Sequence, residues 1–85
     1  MTYRVRYIES VVRIDIPTLP KAARERVRLA IERKLATNPV EFGKPLQYSL
    51  KGARRLRIGD YRVVFVIDGD DVTIVKIGHR KEVYE

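Results

Sequence analysis

RLRIGDYRVVFVID, residues 55–68, is the stretch whose reading decides the fold. Two runs suited to strands, Arg55 to Ile58 and Tyr61 to Asp68, flank Gly59-Asp60, a pair that signals a tight hairpin turn. If those two residues form the whole loop, counting outward pairs Ile58 with Tyr61, Arg57 with Arg62, Leu56 with Val63 and Arg55 with Val64. Cross-strand partners share a side, so Leu56, Ile58, Tyr61, Val63, Phe65 and Ile67 build one apolar side. Arg55, Arg57 and Arg62 occupy the other, with Val64 and Val66.

That second side should repel itself. Arg57 directly opposite Arg62 brings two like charges to a Cβ separation of about 5 Å, which costs stability. Residues 51–65 carry five basic side chains and one acidic, so local counterions are scarce. A polyanion laid across the arginines would remove the repulsion, and guanidinium forks match phosphate oxygens. The competing reading splays Arg57 and Arg62 into water, or bonds them to Asp60, Asp68 or the C-terminal carboxylate.

Downstream, a third strand, Val72 to Gly78, follows the acidic turn Asp68-Gly69-Asp70-Asp71. A three-residue loop, Gly69 to Asp71, would put Lys76 on the basic side. A two-residue loop would put it on the core side. The longer loop buries Val75 and Ile77 and exposes the lysine, so it is the expectation.

Upstream, PVEFGKPLQYSLKGA (residues 39–53) holds Pro39, Gly43, Pro45 and Gly52 and reads as an irregular crossing. Its Val40, Phe42, Leu46, Tyr48 and Leu50 look ready to pack. From Lys21 to Thr37, Ala23, Val27, Ala30, Ile31 and Leu35 recur at helical spacing, with Pro20 at the start and Asn38-Pro39 at the end. The six basic and two acidic side chains of residues 21–37 read mostly as a solvated helix face. Residues 9–16 read as a short helix, against the β-branched preferences of Val11, Val12, Ile14 and Ile16, and Pro17 and Pro20 stop it. YRVRYI, residues 3–8, alternates like a half-buried strand. The expectation is an α+β fold, with two N-terminal helices packed on one face of a small, mainly antiparallel four-stranded sheet. Residues 1–85 would form a single domain.

Composition narrows the chemistry. With no cysteine there is no disulfide or thiolate nucleophile, and a single histidine makes a His-based metal site a poor reading. MTYRVRYIES lacks an apolar stretch long enough for a signal, and no apolar run approaches a membrane span, so a cytoplasmic location without membrane attachment is expected. Eighteen Lys+Arg against 11 Asp+Glu give a net charge of +7, which draws polyanions.

The run LKGARRLRIGDYRVVFVIDGDDVTIVKIGHRKEVYE, residues 50–85, resembles the C-terminal half of RelE-type toxins of the RelE/ParE superfamily. There a basic strand leads into a GDYRVVF strand, and the last strand ends in a GHRKEVY tail. Leu19-Pro20, Asn38-Pro39 and Gly43-Lys44-Pro45-Leu46 are also similar, so the resemblance covers nearly the whole chain. It implies the toxin of a toxin–antitoxin system with a RelE-like fold, a cognate antitoxin protein as partner, and a basic face that holds mRNA in the ribosomal A site. The implied activity is that of an mRNA interferase, a ribosome-dependent endoribonuclease. The 2′-OH attacks the adjacent phosphate with neither metal nor cofactor.

The resemblance implies that Arg62 stabilises transition-state charge, Arg80 clamps the phosphate, and Tyr84 stacks on a base or orients the nucleophile. His79 would carry the proton, since imidazole titrates near neutrality. Lys51, Arg55, Arg57, Lys76 and Lys81 would contact RNA. Some members carry lysines where this chain has Arg55 and Arg57, and arginine essentially cannot give up a proton. The base role therefore shifts to His79 or Lys51, with Glu41 and Glu82 as weaker candidates. Two alternatives share the fold and the charge: a ParE-type DNA gyrase inhibitor without catalysis, which does not need the Arg62, His79, Arg80 and Tyr84 set, and an inactive member that only binds.

Overall fold

The computed structural model describes residues 2–46 and 52–83. Strands β1 (Arg4–Tyr7), β2 (Lys44–Pro45), β3 (Arg54–Ile58), β4 (Tyr61–Asp68) and β5 (Asp71–His79) form one sheet in the order β1-β5-β4-β3-β2. β1 runs parallel to β5 and the other neighbours are antiparallel. The α+β expectation holds with five strands instead of four. The added one, Lys44–Pro45, lies in the segment read as an irregular crossing. Pro45 suits it, because an edge strand does not need a donor on its outer side.

Helix α1 spans residues 11–18. Val11–Asp15 is wound with π spacing, the Ile16 N–H donating to the Val11 carbonyl, and continues as Ile16–Thr18. Val11 is fully buried, and burying a valine is worth about 1.5 kcal/mol or more, which outweighs a helix propensity deficit of roughly 0.5 kcal/mol. Helix α2 spans residues 21–35, α-helical over Lys21–Ala30 and π-wound over Ile31–Leu35, where the Ala36 N–H donates to the Ile31 carbonyl at 3.0 Å. Its stripe of Val27, Ile31 and Leu35 packs with Val11 and Leu19 onto Leu56, Val63, Phe65, Ile74 and Ile77, the core expected from the two periodicities.

A one-turn helix, α3 (Pro39–Phe42), follows. Its Val40 and Phe42 do not pack as expected; they are 57% and 43% exposed. Arg54 holds this turn to the sheet, donating from Nη2 to the Val40 carbonyl at 3.0 Å and to the Gly43 carbonyl at 2.8 Å.

The loop between β4 and β5 also differs from the expectation. It has two residues, Gly69-Asp70, with Asp68 paired to Asp71. The register then slips, since Val64 faces Lys76 while Phe65 faces Ile74, leaving Val75 as an extra residue. A glycine-led two-residue turn suits the twist of the flanking strands, and the bulge absorbs the slip further along. Lys76 thus reaches the Arg62 side by a different route, and Ile77 stays on the core side opposite Val63.

β1 accompanies β5 only as far as Ile74, and beyond it α1 takes over that edge. Asp15, buried there, accepts the Ile77 N–H at 2.9 Å on Oδ2 and the Lys76 ammonium at 3.3 Å on Oδ1. Removing the carboxylate leaves a buried N–H without its partner, whereas the Lys76 side chain is half exposed. Asp15→Ala should therefore cost about 2–3 kcal/mol in chemical denaturation, and Lys76→Met no more than about 1 kcal/mol. Equal losses would place the stabilisation in the ion pair instead.

Candidate nucleic-acid interface

The register expected for the β3–β4 hairpin is the one observed, with Arg57 opposite Arg62 and Arg55 opposite Val64. Lys44 lies opposite Arg55 across β2 and β3, so Lys44, Arg55, Arg57 and Arg62 all belong to the side turned away from the helices. Sequence reasoning missed Lys44; the Gly43-Lys44-Pro45 triplet was its only local sign of an edge strand. Arg57 is exposed and Arg55 half-buried. Among the described residues, Arg57 and Lys44 form no ion pair.

Arg62 departs from the expected exposed row, being only 2% exposed. Its Nη1 donates to the Gly59 carbonyl at 2.8 Å and to the Tyr61 carbonyl at 3.0 Å. The tail explains part of this burial. The N–H groups of Glu82 and Val83 donate to the His79 carbonyl at 2.8 and 3.1 Å, and the turn so formed lays Val83 over Gly78, the partner of Arg62 across β4 and β5. A Cβ at position 78 would stand 3.1 Å from Val83 Cγ2, so glycine makes the room.

His79 is paired with Tyr61, on the helix side of the sheet. The two rings meet edge to face, with centroids 5.6 Å apart and planes at 82°. Arg62 and His79 therefore leave the sheet on opposite sides. What joins them is the turn at Gly59-Asp60. Arg62 donates to the Gly59 carbonyl, the Arg80 N–H donates to the Asp60 carbonyl at 2.7 Å, and the Arg80 Nε lies 3.8 Å from Asp60 Oδ1. His79 Nδ1 accepts the Lys81 N–H at 3.2 Å, so the neutral ring carries its hydrogen on Nε2. In that tautomer the free nitrogen donates. His79 also borders a cavity of about 260 Å³ with Tyr61, Asp15, Lys76 and Glu82.

The other expected contacts fall into three groups. Lys76 has its ammonium on Asp15. Lys81 is exposed in the tail turn. Lys51 and Tyr84 lie outside the described residues. Glu41 is engaged by the Asn38 side chain at 2.6 Å, remote in sequence from the arginine row. No group of three or more His, Asp or Glu side chains among the described residues could hold a metal ion.

Elsewhere four arginines have carboxylate partners. Arg4 and Arg6 meet Asp71 at 2.8 and 3.5 Å, Arg13 meets Glu9 at 2.9 Å, and Arg28 lies between Glu25 and Glu32. The hydrogen bond from Arg28 holds the Glu25 carboxyl below the usual carboxylate range. Arg13 and Arg28 of the helix layer thus keep countercharges close, while Lys44 and Arg57 on the β2–β3 edge form no ion pair among the described residues.

Residues 6–84 match the family described as the ParE toxin of the type II toxin–antitoxin system parDE. The chain is 33% identical over 86 residues to toxin RelG of Mycobacterium tuberculosis, covering 99% of this chain and 98% of that protein. Toxin RelE of the same organism is 36% identical over 72 residues, 82% of this chain and 74% of that protein. A chain in the crystal structure of the toxin–antitoxin complex RelBE2 from M. tuberculosis superposes with a TM-score of 0.85 at 32% identity, over 94% of this chain and 93% of that one. The protein is a toxin of a type II toxin–antitoxin system. It belongs to the RelE/ParE superfamily.

Two expectations follow from the geometry. Arg57→Thr relieves the like-charge contact with Arg62 and should raise folding stability by about 0.5 kcal/mol, measured by denaturant titration. Nitrogen-15 NMR of His79 in its neutral form should show hydrogen on Nε2, and hydrogen on Nδ1 would contradict the Lys81 bond.

Proposed function

We propose that this toxin is an endoribonuclease of the RelE type that cleaves mRNA in the A site of the ribosome. The observation that carries the reading is the row of cations on the sheet side facing away from the helices: Lys44 and Arg55 in one pair, Arg57 and Arg62 in the next. Lys44 and Arg57, exposed on that side and without an ion pair among the described residues, are accounted for by a polyanion that neutralises them.

In this reading the RNA 2′-oxygen attacks the neighbouring phosphorus and the bond from phosphorus to the 5′-oxygen breaks, leaving a cyclic phosphate and a free 5′-OH. A proton leaves the 2′-oxygen and another arrives on the 5′-oxygen, so no metal or cofactor is required. Arg57 and Arg55 hold phosphates. Arg62 exchanges its bonds to the Gly59 and Tyr61 carbonyls for the phosphorane oxygens, and Arg80 approaches from the far side of the same turn. His79 protonates the leaving 5′-oxygen from Nε2 in its imidazolium form, which carries hydrogen on both nitrogens and so gives up the Lys81 N–H bond at Nδ1. Lys51 takes the base role in this scheme and Tyr84 stacks on a base, with Lys76 and Lys81 as outer RNA contacts. The partner is a cognate antitoxin whose acidic segment covers the cation row in the cytoplasm.

A second reading, inhibition of DNA gyrase without catalysis, draws support from the match to the ParE family and from the separation of Arg62 and His79. Induction in cells, with transcript 5′ ends and plasmid supercoiling measured together, separates the two. New 5′ ends within translated codons at unchanged supercoiling are expected. Growth arrest with altered supercoiling and intact transcripts would sink the nuclease. Arg62→Ala should lower cleavage at least about a hundredfold, by analogy with loss of one oxyanion donor. Because Arg62 is buried, its melting curve and antitoxin capture must be followed alongside.

A further inference from the structure

Lys34, Phe42, Lys44, Arg55 and Arg57 border one cavity of about 200 Å³, floored by the buried Leu56. It lies where the sheet edge opens. β2 pairs only with Arg54 and Arg55, so among the described residues the outer edge of β3 is uncovered from Leu56 onward. Lys34 of α2 and Phe42 of α3 flank that edge. Among the described residues its lining holds four cations and no carboxylate. Lys34 Nζ stands 5.5 Å from the centroid of the Phe42 ring, and that ring is 43% exposed.

We propose that this rim is a subsite for one nucleotide of single-stranded RNA, its base stacked on Phe42 and its phosphate held by Lys44 and Lys34. The subsite extends the strand beyond the Arg57–Arg62 pair and rests on the nuclease reading only for which RNA arrives. Cations alone would serve any anion. An aromatic face left exposed between them fits a nucleobase, because stacking is sequence-tolerant and each base supplies a flat π surface. An acidic peptide would use the lysines and leave the ring idle.

The test is fluorescence anisotropy of the purified toxin with a short labelled single-stranded oligoribonucleotide over a range of salt. Phe42→Leu should weaken binding about tenfold, and Phe42→Tyr, which keeps the ring, should not. Lys44→Gln should reduce the slope of log K against log salt by about 0.7, the value for one phosphate on a single strand. Melting curves confirm that each variant is folded. If Phe42→Leu and Lys44→Gln both bind like the unaltered chain, the subsite is overturned, even where transcripts are cleaved in cells. If both lose affinity while transcripts stay intact, the subsite stands and the nuclease reading falls. Polyglutamate of matched length binding with the same dependence on Phe42 would overturn the assignment to RNA.

Discussion

Two residues close β3 onto β4, and the side on which every residue from 54 to 68 emerges depends on that closure. Gly59 sits at φ +57°, a conformation L side chains avoid, and a Cβ there would also meet Arg26 Nη2 at 2.9 Å. A longer loop would let the register drift, and a slip of one residue would exchange the apolar and basic sides. The turn is also a hub. Its carbonyls take the Arg62 guanidinium and the Arg80 N–H, and Tyr61, the first residue beyond it, packs against His79.

The same geometry accounts for how a chain of +7 tolerates its charge. On α2, Arg28 stands three residues from Glu25 and four from Glu32, and meets both along one face. On the sheet, Arg57 and Arg62 are set against each other, at a cost of at most about 1 kcal/mol. Val63, Phe65 and Ile74, fully buried behind them, each contribute about 1.5–3 kcal/mol, so the core can carry an unfavourable pair. Part of that cost is offset because Arg62 donates to the Gly59 and Tyr61 carbonyls.

The hairpin and the helix stripe were legible in the sequence because each is set by a local period, two in the strands and 3.6 in the helix. The burial of Arg62 was not, because Val83, which arrives from the end of the chain, lies over its partner Gly78. The side taken by His79 follows from spacing along β5. Lys76 and His79 are three residues apart on one strand, so they face opposite sides wherever the strand is regular. The pairing of Val64 with Lys76 and of Tyr61 with His79 follows that spacing. The bulge at Val75 could not be counted from the turn outward. Lys44 went unseen because a two-residue strand has too few positions to show alternation.

Both outer parts of this sheet leave strands incompletely paired, since β1 ends opposite Ile74 and β2 ends opposite Arg54. The two edges are protected differently. Along β5 the buried Asp15 carboxylate takes the Ile77 N–H that β1 leaves unpaired. Along β3 protection is electrostatic, because Lys34, Lys44 and Arg57 repel any second basic chain that might add a strand. Charge alone would have been sufficient for that task. An exposed phenyl ring works against it, since apolar surface at an open edge favours association, and so the position of Phe42 among those cations needs a reason other than protection.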